Sequence, residues 1–297
     1  MAKVKENTSA PPPPPPKSDH SSAKKASSAP VKYYLIAYNV LSTIGWSYIL
    51  LLTIIHVLNI DGKSSSVSSA TPTASFTLSR LFSSIPFFKY SQKINSVGGL
   101  EARLHPILVP FFRRATTTFG RVGVATTWIQ SCAILEVVHV LLGWVRSPIQ
   151  TTVMQVASRL IIVWGIVEQF PSVRANPLYT SMVFAWSFTE VIRYSYYACN
   201  LLGYEPSVLL YIRYTTFYVL YPLGASSEAF LMYATLPPTS PIPSWQSWVF
   251  GMWKPADYIR GLLFLIWWPS LYMLYTHMMK QRRKVFGSGK LSAKKTD

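Results

Sequence analysis

Acidic residues are scarce in this sequence, with 11 Asp and Glu side chains against 28 Lys and Arg in 297 residues. Charged residues of both signs make up 13% of the chain, whereas about a quarter is usual for a soluble domain. Many of the basic residues lie in the tails and in the loops between apolar stretches. This distribution is typical of a membrane protein whose positive residues set its orientation, and it argues against a nucleic-acid groove despite the net charge of +17.

Cysteine is also scarce, since only Cys132 and Cys199 are present and both lie in apolar stretches. Two distant thiols provide neither a disulfide framework nor a zinc site, so we interpret them as small buried hydrophobic residues. A cysteine phosphatase also needs an arginine six positions after its cysteine, so that thiolate and guanidinium share one phosphate loop. Those positions hold Val138 and Glu205, which argues against this class of enzyme.

Long apolar runs predict an all-α, polytopic membrane bundle of six transmembrane helices. A run of about 18 or more apolar residues is long enough to cross the hydrocarbon core of a bilayer. The predicted spans are residues 33–58, 124–144, 149–170, 178–202, 207–235 and 258–279. Short connectors between the second and fifth spans require neighbouring helices to be antiparallel. The predicted membrane domain therefore extends over residues 33–279.

The remaining segments are polar and predict poorly ordered chain. Residues 1–32 contain a proline run at 11–16 and cannot bury enough apolar area to offset the loss of conformational entropy. We interpret them as a disordered basic tail, in which the prolines are either a solvated spacer or a ligand for a proline-recognising domain. Residues 59–123 predict a long non-cytosolic loop, partly disordered, whose apolar piece at 81–88 is too short to span.

Lysine and arginine predict that both termini are cytosolic. Both tails are strongly basic, and positive residues favour the cytosolic side, which requires an even number of spans. Residues 280–297 form the predicted basic tail, in which Lys294 and Lys295 stand fourth and third from the end. A dilysine at that spacing resembles the retrieval signal of endoplasmic reticulum membrane proteins, although it also fits a plain basic tail. We therefore predict a multi-pass protein of the endoplasmic reticulum membrane.

Ionisable residues lie inside the predicted spans, where a charge is costly unless it is paired or wetted. They include Glu136, Glu190, Glu228, Arg159, Arg193 and Arg213. Glu190 and Arg193 are spaced i, i+3 and can pair on one helix. Similar spacings allow two more pairs, Glu136–His139 and Gln155–Arg159. Two interpretations fit: the pairs are polar contacts between helices, or they line a polar cavity.

The fifth predicted span carries a tyrosine stripe that ends in a carboxylate. Tyr221 and Glu228 are seven positions apart, which places them about 20° off one face and about 10 Å apart along an ideal helix. Pro222 is expected to bend the helix, and Gly224 is expected to leave open space between the two polar groups. A phenol and a carboxylate beside one cavity can transfer protons. The alternative is a structural role: the tyrosines, including Tyr218, form a packed stripe, and the glutamate only forms a hydrogen bond to another helix.

At these residues the chain resembles a known family, the very-long-chain 3-hydroxyacyl-CoA dehydratases, also called the protein tyrosine phosphatase-like family. The resemblance covers about residues 33–284, and its two longest motifs end at Tyr194 and Glu228. The motifs stand at residues 38–39, 45–46, 135–139, 143–148, 155–159, 186–194 and 221–228. The loop at about 62–103 looks longer than the family pattern, and nothing is carried over to it.

The resemblance implies a specific reaction and location. The family removes water from (3R)-3-hydroxyacyl-CoA to give trans-2-enoyl-CoA, the third step of microsomal fatty-acid elongation, which supplies very-long-chain fatty acids and sphingolipid precursors. It works in the endoplasmic reticulum membrane with six spans and both termini cytosolic. Its catalytic pair corresponds to Tyr221 and Glu228, and no metal or redox cofactor is implied.

The chemistry of dehydration fits the two residues. We hypothesise that Glu228 takes the C2 proton, which the thioester acidifies, and that Tyr221 assists departure of the C3 hydroxyl. The reverse assignment stays open, although a phenol is a poor base at neutral pH. Expected supporting residues around the cavity are Arg213, Arg159, Glu190, Arg193, Tyr218 and Gly224. Arg146 is expected to meet the phosphates of the CoA.

Two other classes of protein compete with the enzyme. A non-catalytic membrane scaffold of the elongase complex would keep the bundle, but the presence of both Tyr221 and Glu228 argues against it. A transporter would also carry intramembrane carboxylates, but the internal repeats common in transporters are missing. The expected partners are the long-chain 3-hydroxyacyl-CoA substrate, membrane lipid and other enzymes of the elongation cycle, and no nucleic acid.

Overall fold

The computed structural model describes residues 29–64, 104–239, 241–242 and 252–293, with side chains as far as Phe286. These residues are helical or in turns, and no strand occurs among them, which confirms the predicted all-α class. Three predicted features lie outside the described residues. They are the proline run at 11–16, the apolar piece at 81–88 and the dilysine Lys294–Lys295.

The described part contains nine α-helices, which we number in chain order. They are α1 (Ala29–Leu58), α2 (Val109–Ala115), α3 (Phe119–Ser131), α4 (Ile134–Leu141), α5 (Ile149–Leu160), α6 (Pro171–Arg174), α7 (Pro177–Leu202), α8 (Ser207–Tyr233) and α9 (Pro255–Ala293). A π-helical segment, Ile161–Val167, continues α5 without a break.

Three helical stretches are long and apolar enough to cross a membrane: Ala29–Leu58, Phe119–Leu141 and Ile149–Val167. Helices α7 and α8 have 26 and 27 residues, which corresponds to about 40 Å each, but they carry more polar side chains. By length and composition, three stretches of the described part are candidate membrane spans. The count of six stays a prediction.

Several boundaries differ from the predicted ones. Helix α1 begins at Ala29, inside the predicted tail, and α2 and the start of α3 lie inside the predicted loop. The predicted second span is interrupted between α3 and α4. Helix α9 continues through the predicted tail to Ala293, because Lys and Arg favour helix and because Phe286 packs 6.0–6.2 Å from Tyr211 and Tyr214.

The ends of α7 explain the hairpin that it forms with α8. Asn176 caps the first turn by accepting a hydrogen bond from the Leu178 amide at 3.0 Å, and Pro177 stands at the first helical position. Gly203 ends the helix in the left-handed region with φ of 88°. Helix α8 then begins at Ser207, so the two helices are neighbours that run in opposite directions.

The core lies where α1, α3, the π-helical segment and α7 meet. Helix α1 packs along α7, α7 along α8, and α8 along α9. The largest fully buried side chains include Trp46, Ile49, Phe119, Ile162, Ile166, Phe170, Tyr179 and Met182. Leu41, Ile44 and Leu51 on α1 are exposed, which provides an apolar outer face for lipid.

The two cysteines are less buried than expected. Cys132 is exposed and Cys199 is half-buried, so the prediction that both are buried is wrong. Cys132 lies in the turn between α3 and α4, and Cys199 lies on α7. Contact with lipid suits a small hydrophobic side chain as well as contact with a protein core does.

Candidate active site

Helix α7 presents four functional side chains on one face. Trp186, Glu190, Arg193 and Tyr197 are spaced by four, three and four positions, which aligns them along a single stripe. Trp186 and Glu190 are buried, with 3% and 1% of their surface exposed. This stripe organises the candidate site, because the other helices of the site contact it.

Two hydrogen bonds fix how α8 lies against α7. The hydroxyls of Ser181 and Ser227 are 2.7 Å apart, and Nη2 of Arg213 donates to the Tyr197 hydroxyl at 3.3 Å. The start of α8 therefore lies beside the end of α7, and the second half of α8 lies beside the first half of α7. This register brings the carboxylate of α8 to the stripe.

Glu228 is buried beside the indole ring of Trp186. Its Oε1 accepts a hydrogen bond from Nε1 of Trp186 at 2.6 Å, and 8% of the residue is exposed. Trp267 of α9 lies near the same carboxylate. An indole N–H is a neutral donor with a single hydrogen, so it holds one carboxylate oxygen and leaves the other accessible.

The other buried carboxylates in the described part of the chain have arginine partners. Within 4.0 Å of an arginine lie the buried carboxylates of Glu168, Glu190 and Asp257, as well as the half-buried carboxylate of Glu136. Glu228 instead accepts a hydrogen bond from the indole of Trp186. An arginine fork engages both oxygens of a carboxylate and stabilises its charge, whereas Glu228 keeps an oxygen that can accept a proton.

Tyr221 lies two turns before Glu228 on α8 and is half-buried. Its hydroxyl is within electrostatic reach of both Glu228 and Arg159. The structure therefore brings the phenol, the carboxylate and one guanidinium into the same part of the bundle.

A chain of ion pairs connects this site to three helices. Arg159 of α5 hydrogen-bonds Oε1 of Glu190, whose Oε2 accepts from Nε of Arg193 at 2.6 Å. Arg193 then donates two hydrogen bonds to Glu136 of α4, at 3.0 Å and 2.6 Å, and the hydroxyl of Tyr194 donates a third. Two acids and two arginines make the chain neutral. The predicted Glu190–Arg193 pair is present, and it also joins neighbouring helices.

Arg159 links the ion-pair chain to the carboxylate of α8. Its guanidinium lies 5.3 Å from the ring of Trp186, whose indole nitrogen donates to Glu228. The side chain of Arg159 is 26% exposed, so it is also the most accessible member of this chain. A substitution in the ion-pair chain that moves Arg159 is therefore expected to move the indole of Trp186, which donates to Glu228.

The two other predicted pairs have different partners in the structure. Arg159 bonds Glu190 of another helix, and Gln155 is exposed. Nε2 of His139 lies 3.1 Å from the hydroxyl of Tyr34 on α1. Helix neighbours at i, i+3 or i, i+4 can pair, but here other helices offer stronger partners.

The predicted tyrosine stripe is divided between two helices. Tyr218 faces α9, where it accepts a hydrogen bond from Nη1 of Arg282 at 3.3 Å. Arg213 lies near the start of α8 among the rings of Tyr196 and Tyr197. Arg146 is exposed in the connector between α4 and α5. Tyr218, Arg213 and Arg146 are thus not in contact with Glu228, because α8 touches different helices along its length.

Gly224 lies against α7 rather than beside an open gap. A Cβ atom at this position would stand 3.4 Å from Cβ of Ala185 and 3.8 Å from Cδ1 of Trp186. Because glycine has no side chain, α8 approaches α7 closely here. Helix α7 therefore occupies the space that was expected to be open, and what remains would hold no more than one methyl group. Pro222 is accommodated inside an α8 that stays continuous.

Comparison with known proteins identifies the family. The family model described as protein tyrosine phosphatase-like protein, PTPLA, matches residues 130–288. This chain belongs to that family. A probable very-long-chain (3R)-3-hydroxyacyl-CoA dehydratase of Schizosaccharomyces pombe is 41% identical over 179 residues, which cover 60% of this chain and 80% of that protein. A very-long-chain (3R)-3-hydroxyacyl-CoA dehydratase of Caenorhabditis elegans is 33% identical over 270 residues, covering 87% and 97%. No solved structure matches the chain significantly.

The part of the chain that matches the family model contains the whole candidate site. Residues 130–288 include the ion-pair chain, both indoles, Tyr221 and Glu228. Although the family is called phosphatase-like, neither cysteine here has an arginine six positions later. In the described part of the chain, no three His, Cys, Asp or Glu side chains are grouped as metal ligands.

The sequence interpretation missed both tryptophans as site residues. Trp186 stands four positions before Glu190 on the same helix face, so its helical spacing was the available signal. Trp267 belongs to α9, and no spacing along the chain relates it to Glu228. The hydrogen bond from Tyr194 to Glu136 was also missed, because it joins two helices.

Proposed function

We propose that this protein is a very-long-chain (3R)-3-hydroxyacyl-CoA dehydratase that forms trans-2-enoyl-CoA during fatty-acid elongation. The names of its relatives support this reaction, and one observation in the site carries the proposal. Glu228 is a buried carboxylate that accepts a hydrogen bond from the neutral indole of Trp186, with a phenol two turns away, whereas its buried counterparts in the described part have arginines.

In the proposed reaction Glu228 is the base and Tyr221 is the acid. Glu228 takes the C2 proton, and the electron pair of the broken C2–H bond is held on the thioester as an enolate. The C3–O bond then breaks, and this electron pair forms the C2–C3 double bond. Tyr221 gives its proton to the departing hydroxyl, which leaves as water. The proton on Glu228 then passes to the Tyr221 phenolate, and both residues return to their starting states.

We assign supporting roles to the ion-paired residues. Arg159 carries positive charge near Tyr221 and Glu228, and it lies over the indole that bonds the carboxylate. Such a fixed charge stabilises negative charge that develops on the thioester oxygen or on the phenol. Glu190 and Arg193 hold Arg159 in place from the opposite side.

The test is dehydration by the purified protein. Incubation with a long-chain (3R)-3-hydroxyacyl-CoA is expected to give the enoyl product. Glu228→Gln and Tyr221→Phe are each expected to lower turnover by about 10²- to 10⁴-fold. Glu205→Gln is the matched control, because Glu205 is exposed in the connector between α7 and α8. A folded wild-type protein without turnover would instead indicate a non-catalytic scaffold.

Exchange of the C2 proton with heavy water separates the two roles. If Glu228 is the base, Tyr221→Phe keeps the exchange of deuterium into C2 of the substrate, and Glu228→Gln loses it. The opposite result would assign the base to Tyr221 and the acid to Glu228.

We also propose six spans, with both termini in the cytosol and residence in the endoplasmic reticulum. Helices α7, α8 and α9 supply the three further spans, since each has at least 26 residues. Glycosylation acceptor sites inserted at either end are expected to stay unmodified, and one inserted after α1 is expected to be modified. Replacement of Lys294 and Lys295 by alanine is expected to release the protein to later compartments.

A further inference from the structure

Two arginines near the basic end of the bundle are held by aromatic side chains rather than by acids. Arg213 on α8 donates to the hydroxyl of Tyr197 at 3.3 Å, and its guanidinium lies 5.2 Å and 5.0 Å from the rings of Tyr196 and Tyr197. No acid lies within ion-pair distance of this guanidinium in the described part of the chain. Its charge is therefore not neutralised by the protein around it.

Arg282 on α9 has the same kind of surroundings. Its Nη1 donates to the hydroxyl of Tyr218 at 3.3 Å, and the guanidinium lies 5.2 Å and 5.8 Å from the rings of Tyr218 and Phe286. Its Nε is buried and has no hydrogen-bond partner among the described residues. A guanidinium has five N–H donors, so most of the donors of Arg282 are free for another acceptor.

The two arginines border one aromatic cluster between α8 and α9. The ring of Tyr214 lies 5.9 Å from the guanidinium of Arg213 and 6.0 Å from the ring of Phe286. Phe286 in turn lies against Arg282. Rings stacked against a guanidinium fix its plane while leaving its edges free, and those edges match the oxygens of a phosphate.

This cluster lies beside the end of the α7 stripe that is farther from Trp186. Tyr197, which bonds Arg213, continues the α7 stripe that begins at Trp186 and passes through Glu190 and Arg193. On α8, Arg213 precedes Tyr221 by eight residues, which corresponds to about 12 Å along the axis. The reacting carbons of an acyl-CoA and its phosphates are separated by the pantetheine arm, so the phosphates must bind well away from Tyr221.

We propose that Arg213 and Arg282 bind the phosphate groups of the acyl-CoA substrate. This assignment rests on the proposed dehydratase function, and it replaces Arg146 as the phosphate contact. Five other arginines of the described part already have carboxylate partners: Arg121, Arg159, Arg174, Arg193 and Arg260. The two arginines that are held by tyrosines have their donors free for an anion. The phosphate of an anionic lipid has the same chemistry, and the test separates the two sources.

The experiment compares two substrates with the same acyl chain, the CoA thioester and the pantetheine thioester, which has no phosphate. The ratio of their kcat/KM values does not depend on how much of a sample is folded. Arg282→Gln and Arg213→Gln are each expected to lower this ratio by about tenfold, mainly through KM for the CoA thioester. Arg283→Gln is the matched control, since Arg283 is exposed and adjacent in the chain. Adenosine 3′,5′-bisphosphate is expected to compete with the CoA thioester less well in both variants.

Each contrary outcome has a separate meaning. If the wild type dehydrates neither thioester, the proposed function fails. If it dehydrates both and the ratio is unchanged in both variants, the phosphate assignment alone is overturned. A lower ratio in Arg146→Gln, with a normal ratio in Arg213→Gln and Arg282→Gln, would assign the phosphates to Arg146. If both variants keep the ratio but lose the thermal stabilisation that anionic lipid vesicles give the wild type, the ligand is a lipid phosphate.

Discussion

Glu190 and Glu228 are buried carboxylates on neighbouring helices, and their surroundings differ in kind. Glu190 accepts hydrogen bonds from two arginines, one at each of its carboxylate oxygens. Glu228 accepts a hydrogen bond from the indole of Trp186, and Trp267 lies nearby. A carboxylate between arginines is held as an anion and connects helices, whereas a carboxylate beside a neutral donor can change its protonation. The comparison shows how one bundle can contain carboxylates that hold helices together beside one that is suited to chemistry.

The largest expected effect comes from neutralising the carboxylate beside the indole of Trp186. Glu228→Gln is expected to lower dehydration by about 10²- to 10⁴-fold, while the thermal unfolding midpoint in detergent stays close to that of the wild type. No arginine loses its partner in this change, because Glu228 has none within ion-pair distance in the described part. A large loss of stability would mean that Glu228 has a structural role like that of Glu190.

The next effect comes from breaking the ion-pair chain. Glu190→Gln leaves Arg159 and Arg193 without the carboxylate between them, and loss of one partner of a buried pair is destabilising by about 3 kcal/mol. The partial exposure of Arg159 places the expected loss at the lower end of the known range. Denaturant unfolding of the purified protein measures the loss, with Glu205→Gln as the exposed control. Unchanged stability would contradict the structural role of the chain.

A smaller effect on turnover is expected from substitution of Trp186, whose indole lies between Arg159 and Glu228. Trp186→Phe keeps the ring under Arg159 but removes the N–H that bonds Glu228. Loss of a hydrogen bond to a charged group corresponds to about 1.5–3 kcal/mol, or about 10- to 100-fold, and it should appear in kcat rather than in KM. Trp268→Phe is the control, because Trp268 is a partly exposed neighbour of Trp267. Equal effects of the two substitutions would indicate ring packing alone.

The smallest effect concerns Asp61, which lies after the end of α1 and pairs with Arg121 in the first turn of α3. The hydrogen bond from Arg121 lowers the pKa of Asp61 from its usual range to about 2. A carboxyl group whose pKa is lowered in the folded state contributes stability above its unfolded pKa, and the contribution is lost as pH falls through the folded pKa. Asp61→Asn is therefore expected to give a small, constant stability difference from the wild type between pH 5 and pH 8. The difference should disappear as the pH approaches 2, as thermal unfolding across this range would show.

The helical class and the Glu190–Arg193 pair could be predicted from the sequence, because both depend on residues that are close together in the chain. Apolar runs mark helices wherever lipid or core surrounds them, and the spacing of Glu190 and Arg193 is enough to predict their contact. The interruption at Cys132–Ala133 and the π-helical segment Ile161–Val167 have no comparable signal in the sequence.

The partners between helices could not be predicted, since spacing along one helix does not say which neighbour faces it. The tyrosine stripe on α8 looked continuous, but Tyr218 turns to α9 while Tyr221 lies nearer Glu228 and Arg159. The contact of Trp186 with Glu228 depends on the register of two helices, which the Ser181–Ser227 hydrogen bond helps to set. The close approach at Gly224 likewise depends on α7 being its neighbour.

The neutral ion-pair chain also has a consequence for how the protein is made. Helices α4 and α5 emerge before α7 during synthesis, and each brings one charge whose partner lies on α7, Glu136 and Arg159. Their partners, Glu190 and Arg193, arrive later and together on α7. An unpaired charge is unstable in lipid, so the two earlier helices lack their ion-pair partners until α7 is in place. Helix α7 therefore completes a neutral unit of three helices.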